Sequence, residues 1–174
     1  EYEYILNHSG AVACFVSDAE VYQKLQAIIK NVPSLRTVYS FNEIEGALKW
    51  TDLLKLGMDE SNQSEVEARK SAISPNDLAT LIYTSGTTGT PKGVLLNHAN
   101  LMHAGKSVGA WHSLSQRDIV LSSLPIYHIN GQCISTITPF YTGGGIVAPH
   151  HFSVSAWWNL AVRYQATWIN MVPT

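Results

Sequence analysis

The sequence predicts an α/β protein with a largely parallel sheet flanked by helices. Three observations predict it. Short apolar runs rich in β-branched and aromatic residues alternate with stretches of helical period along nearly all 174 residues, the order that joins parallel strands through crossover helices. Several of those runs lack a polar face, as strands covered on both sides do. A turn dense in glycine and hydroxyl residues stands directly after one of them.

Residues 11–16 (AVACFV) form the first expected strand, bounded by Gly10 and by Ser17-Asp18. Ser17 stands three residues before Glu20, the spacing of a capping box, and Val21, Leu25 and Ile28 follow at helical intervals up to Asn31 and Pro33. That pattern predicts a helix. Residues 36–40 read as a strand, and 50–56 as one or two helical turns ended by Gly57. Over 58–76 the apolar content collapses, which predicts a polar surface loop or linker. Strands are expected again at 78–83, 93–96, 119–123, 146–148 and 167–171, with helices near 97–112, 130–141 and 153–164. In the last helix Ser153 can cap the amino end, Phe152 can staple onto Trp157, and Trp157, Leu160, Ala161 and Tyr164 form one apolar stripe.

Composition narrows the function. With 45% hydrophobic and 14% charged residues the chain can build a core and is not a disordered tail. Eleven Lys plus Arg against thirteen Asp plus Glu leave a net charge of −2 without a run of like charges. This argues against a nucleic-acid or anionic-membrane partner. No apolar run approaches the roughly 20 residues of a transmembrane helix. Cys14 and Cys133 lie far apart in apolar segments and read as buried thiols, so a cytoplasmic, reducing location is expected. The start at Glu1 and the stop just after a strand-like run read as a piece of a longer protein.

Residues 83–93, YTSGTTGTPKG, carry the chemistry. Gly86 and Gly89 allow positive φ and close backbone approach, so several N–H groups can converge on one anion. Thr84, Ser85, Thr87, Thr88 and Thr90 add hydroxyl donors, and Lys92 adds a full positive charge. The set describes a cradle for phosphate oxygens. It is not a Walker loop, because counting from Gly86 meets Pro91, Lys92 and Gly93 where Gly, Lys and Ser or Thr are required. Nor is it a nucleophile elbow, since Tyr83 and Thr87 flank Ser85 where glycines belong. A solvated Ser/Thr/Gly turn is the plainer alternative.

Residues 80–97, TLIYTSGTTGTPKGVLLN, resemble the phosphate-binding signature of the adenylate-forming superfamily, which includes acyl- and aryl-CoA synthetases, peptide-synthetase adenylation domains and luciferases. Residues 124–132, LPIYHINGQ, resemble a second signature of its acid–CoA ligases. Adenylation domains for amino acids carry an aspartate there to hold the substrate amine, and no aspartate lies between 124 and 134. The likeness runs over essentially the whole chain and implies part of the large N-terminal domain of an acyl-CoA synthetase-like enzyme. The small C-terminal domain with its mobile lysine, the hinge, the magnesium glutamate and the ribose aspartate are not in this sequence. The segment 128–133 is most similar to carnitine- or crotonobetaine-type and medium-chain acid ligases.

The resemblance implies two half-reactions. A carboxylate attacks the α-phosphate of ATP to give acyl-adenylate and pyrophosphate, and coenzyme A then displaces AMP. It assigns the β- and γ-phosphates to Lys92 and residues 84–90, a magnesium contact to Thr84, and the acyl site to Tyr127 and His128, with Lys92 and His128 as the catalytic groups. His128 can equally be a packed structural histidine. Glycines 143–145 fit either a substrate approach or a helix-ending turn. His150-His151 reads as loop, because adjacent residues rarely chelate one ion and no cysteine or carboxylate is near. Two alternatives stay open: an enzyme that delivers the acyl group to a carrier protein, and a non-catalytic nucleotide-binding module. The 174 residues alone are expected to complete neither half-reaction. An apolar edge at 167–171 would favour self-association, so a homo-oligomer is among the expected states.

Overall fold

The computed structural model describes residues 1–85 and 89–172. The chain divides into two compact units, residues 1–73 with 83–93, and 74–82 with 94–174.

In the first unit, α1 (Tyr2–Ser9) ends at Gly10, and β1 (Ala13–Val16) leads into α2 (Ala19–Ile28). The N-cap of α2 is Asp18, whose carboxylate accepts from the Val21 N–H at 2.9 Å. Ser17 does not cap as its spacing suggests: its hydroxyl donates to Asp18 at 2.7 Å. The Asp18 carboxylate, one residue nearer the helix, takes the orphan amide. β1 pairs in parallel with β2 (Thr37–Ser40), register Val16↔Ser40, and β2 pairs with the two-residue β3 (Leu48–Lys49), which the pattern did not announce. Val16, Leu25, Val32, Leu35 and Val38 form the core of this unit, with Leu6 of α1 packed on it. Each such aliphatic side chain contributes about 1.5–3 kcal/mol on burial.

α3 (Trp50–Gly57) follows, and then the expected loop over 58–76 is corrected. A 3₁₀ turn (Glu60–Asn62) and α4 (Gln63–Ala72) occupy most of it. Local charge pairing replaces an apolar face here: Arg69–Glu65 at 2.7 Å and Lys70–Glu67 at 3.0 Å lie four and three residues apart, and α4 buries nothing.

β4 (Leu78–Thr84) and β5 (Lys92–Asn97) are neighbours in a two-stranded sheet. α5 (His98–Trp111) opens with a reciprocal cap, Asn100 N–H to Asn97 Oδ1 at 2.7 Å and Asn97 N–H to Asn100 Oδ1 at 3.0 Å. In the second unit β6 (Ile119–Ser122) is central, flanked in parallel by β7 (Gly145–Val147) and β8 (Trp168–Asn170). Leu121 is fully buried under Trp157 and Ala161 of α7 (Val154–Arg163), which Ser153 caps. Tyr164, expected in the apolar stripe, is 44% exposed. Parallel sheets flanked by helices agree with the expected fold class.

The helix expected at 130–141 is of two kinds. Residues Asn130–Ile137 form a π-helix, and only α6 (Thr138–Thr142) is α-helical. The Thr136 hydroxyl donates to the Gly131 carbonyl at 2.8 Å and the Thr138 hydroxyl to that of Cys133 at 3.2 Å, each reaching back five residues. Pro139 withholds the N–H that an α-helical register would use at its position. Gly143, in the left-handed region at φ 76°, closes α6, so the glycines 143–145 contain the helix-ending turn.

Candidate functional site

The described residues of the expected phosphate loop lie where β4 runs out and β5 begins. Thr84 ends β4 and Lys92 opens β5; both side chains are exposed, as are Ser85, Gly89 and Thr90. Gly89 has φ 83°, a conformation an L side chain adopts only under strain. Its glycine is therefore required by the backbone, which turns there before re-entering the sheet. Gly86, Thr87 and Thr88 lie outside the described residues. Among the described residues Lys92 has no ion-pair partner, so its charge is available to an anion.

The root of the loop has an anchor that sequence reasoning missed. Tyr83, the last residue before Thr84, is hydrogen-bonded through its hydroxyl to His8 Nδ1 of α1 at 2.7 Å, and Tyr4 stacks on His8 with ring centroids 5.4 Å apart. The pair lies 75 residues apart in the chain. No local pattern signals it.

In the other unit, residues 123–128 connect the carboxyl end of β6 to the π-helix. Gly131 makes the turn tight: a Cβ there would stand 2.1 Å from the Pro125 carbonyl oxygen. His128 N–H donates to that same oxygen at 3.0 Å, and Gln132 N–H to the His128 carbonyl at 2.9 Å. The Asn130 N–H donates to His128 Nδ1 at 3.3 Å. With Nδ1 accepting, the neutral ring carries its proton on Nε2 and offers an N–H donor suited to a carboxylate or phosphate oxygen. The His128 side chain is exposed.

Tyr127, 82% exposed, lines a cleft of about 550 Å³ at the carboxyl ends of β6 and β7, opposite His150, His151 and Phe152. That is where open α/β sheets receive ligands. His150 and His151 line this cleft, and among the described residues no group of three His, Cys, Asp or Glu side chains could hold a metal ion. A second cavity, of about 370 Å³, opens between α5 and the π-helix. Leu101, Val108, Cys133 and Ile134 make it apolar, and the Asn100 and Asn130 amides are its polar groups. Burial pushes the Cys133 thiol above its ordinary pKa, which keeps it protonated at neutral pH and makes it wall rather than nucleophile. Cys14 is raised for the same reason, and both cysteines are free.

A family model described as AMP-binding enzyme matches residues 1–174. Over 100 residues the chain is 51% identical to sulfoacetate–CoA ligase of Cupriavidus necator, which covers 58% of this chain and 20% of that protein. Over 121 residues it is 36% identical to crotonobetaine/carnitine–CoA ligase of Salmonella paratyphi C, covering 65% of this chain and 23% of that one. The chain thus spans about a fifth of the length of these relatives. Among solved structures, anthranilate CoA ligase AuaEII in complex with anthranoyl-AMP superposes with a TM-score of 0.73 at 23% identity, over 97% of this chain and 32% of that one. ATP-bound MatB from Rhodopseudomonas palustris superposes with a TM-score of 0.70 at 22% identity, over 97% and 31%. At such identities these likenesses establish the fold.

Proposed function

The chain belongs to the AMP-binding enzyme family, and from that premise we propose that the intact protein activates a small, polar carboxylic acid with ATP as an acyl-adenylate and transfers the acyl group to coenzyme A. The observation that carries this is the loop between β4 and β5, where Gly89 holds its left-handed turn beside Lys92, which has no ion-pair partner among the described residues, and the hydroxyls of Thr84, Ser85 and Thr90. Attack of a carboxylate on a polyphosphate joins two anions, so the protein's task is charge neutralisation and in-line positioning. Lys92 and the loop donors hold the β- and γ-phosphates and stabilise pyrophosphate as it leaves. His128 presents Nε2–H to the acid's carboxylate and orients it for attack, and Tyr127 forms part of the acyl wall.

Exposed hydroxyls, with no group of three His, Cys, Asp or Glu side chains able to hold a metal among the described residues, suit a hard cation carried in largely by phosphate oxygens and water. Thr84 is the residue that would hold magnesium here, and the ion would supply charge neutralisation on the phosphates. The small polar acid is supported by the relatives, whose names give sulfoacetate and crotonobetaine or carnitine as their acids.

The test is acid-dependent ATP–pyrophosphate exchange by the intact protein with magnesium, followed by hydroxamate trapping of the adenylate and a choice of acceptors. Exchange with short polar acids and thioester formation on coenzyme A are expected. Absence of exchange with short, medium, long and aromatic acids, from folded protein, would refute the reading. Acyl transfer to a phosphopantetheine-bearing carrier protein in place of coenzyme A would move it to the other branch of the family.

A further inference from the structure

Asn170, the last residue of β8, makes contacts that local strand pairing does not require. Its carbonyl accepts from the Ser123 hydroxyl at 3.3 Å. Its side-chain Nδ2 donates to Asn130 Oδ1 and, at 3.2 Å, to Oγ of Ser135, which is fully buried. One residue therefore grips both ends of the segment 123–130, with Ser123 at the start and Asn130 at the end. Tyr127 and His128 lie between those grips. The register Ser122↔Asn170 keeps the gripping residue level with the end of β6, so the segment leaves the sheet already held.

Asn130 is the joint that passes this restraint on. Its side chain is tied to Asn170, and its backbone N–H is the donor that occupies His128 Nδ1. The helix that follows cannot supply the restraint alone, because its hydrogen bonds are of the wide π type. We propose that Asn170 is a positioning residue for acid recognition, acting through Asn130 to hold the His128 ring as its Nε2–H tautomer toward the carboxylate. This rests on the reading of His128 as the acid-binding group.

The test has two independent readouts on the intact protein. In the first, ¹⁵N NMR of the histidine ring reports the tautomer whether or not any acid turns over. Wild type should show His128 with Nδ1 unprotonated, and Asn170→Ala should show mixed tautomers. In the second, acid-dependent exchange should show the KM for the acid raised about tenfold in Asn170→Ala, the worth of one hydrogen bond, with the KM for ATP changed less than about twofold. Asn130→Ala should act like Asn170→Ala, and the double variant should be no worse than either, since both break the same tie. Asn170→Asp should restore the acid KM to within about threefold of wild type, because the Asn130 amide can turn to donate to the new carboxylate and the Ser135 hydroxyl can do likewise. An unchanged tautomer, or effects that add in the double variant, would overturn the proposal. If wild type exchanges with no acid while the tautomer still responds to Asn170→Ala, the positioning stands and the functional reading falls.

Discussion

Replacing Gly131 with alanine tests how tightly the turn that carries His128, the proposed acid-binding residue, must close. The added Cβ would meet the Pro125 carbonyl oxygen at 2.1 Å, its carbon at 2.7 Å and the Leu124 oxygen at 2.9 Å. An ordinary C···O contact begins near 3.3 Å, so backbone and helix must part by about 1.2 Å. No side chain can yield, because every obstructing atom is main chain. The displaced carbonyl is the acceptor of the His128 N–H, so retreat moves His128 or breaks that bond. Overpacking of this kind costs about 1–3 kcal/mol of stability, and misplacing a reacting group by about 1 Å can cost on the order of a hundredfold in rate. Chemical denaturation should show the stability loss. Acid-dependent pyrophosphate exchange should fall tenfold or more, while AMP or ATP binding measured by calorimetry stays near wild type. Wild-type exchange together with wild-type stability would show that the turn is looser than the contacts on Pro125 require, and that His128 does not depend on them.

Three further outcomes are expected. Lys92→Ala should slow exchange by roughly 10²–10³-fold, equivalent to about 2.7–4 kcal/mol of lost charge stabilisation, and leave acid binding nearly intact; exchange at the wild-type rate would remove Lys92 from the phosphate site. Gly89→Ala should raise the KM for ATP and cost about 1–2 kcal/mol through its φ of 83°, and Gly89→Asn should be milder because asparagine tolerates that region; equal behaviour of the two would point to lost space instead of strain. Asp118 accepts from the Ser115 N–H and from the Thr167 and Ser115 hydroxyls, which hold its carboxyl below the ordinary value. A lowered folded-state pKa stabilises above the unfolded value of about 3.9 and is lost as pH falls through the folded one. Asp118→Asn should therefore be less stable at neutral pH, with the difference shrinking below about pH 4, and a difference independent of pH in denaturant titrations would show that the charge is not involved.

What could be read from the chain follows the range of the interactions concerned. β1, α2, β6 and α7 were legible because their burial repeats along the local sequence, as Val16, Leu25, Leu121 and Trp157 demonstrate. The segment 83–93 stands out because its composition is contiguous, and the structure places it between β4 and β5 with Gly89 at φ 83° and Lys92 exposed at the start of β5. α4 was missed since apolar period is the wrong signal for a helix held by Arg69–Glu65 and Lys70–Glu67 with no buried face. The π register of 130–137 was missed for a different reason. Two threonine hydroxyls that reach back five residues and the proline that follows the segment accompany it, a combination with no simple period. The restraints on the site were the least visible of all. His8 on Tyr83 and Asn170 on Asn130 join residues 75 and 40 positions apart through single polar contacts, and an asparagine at a strand end looks like any other turn residue until its partner is known. Contiguous composition thus singles out candidate binding groups, whereas the contacts that hold them become visible through geometry. His128 shows the division within one side chain: the motif names the residue, and the Asn130 N–H decides which of its nitrogens carries the proton.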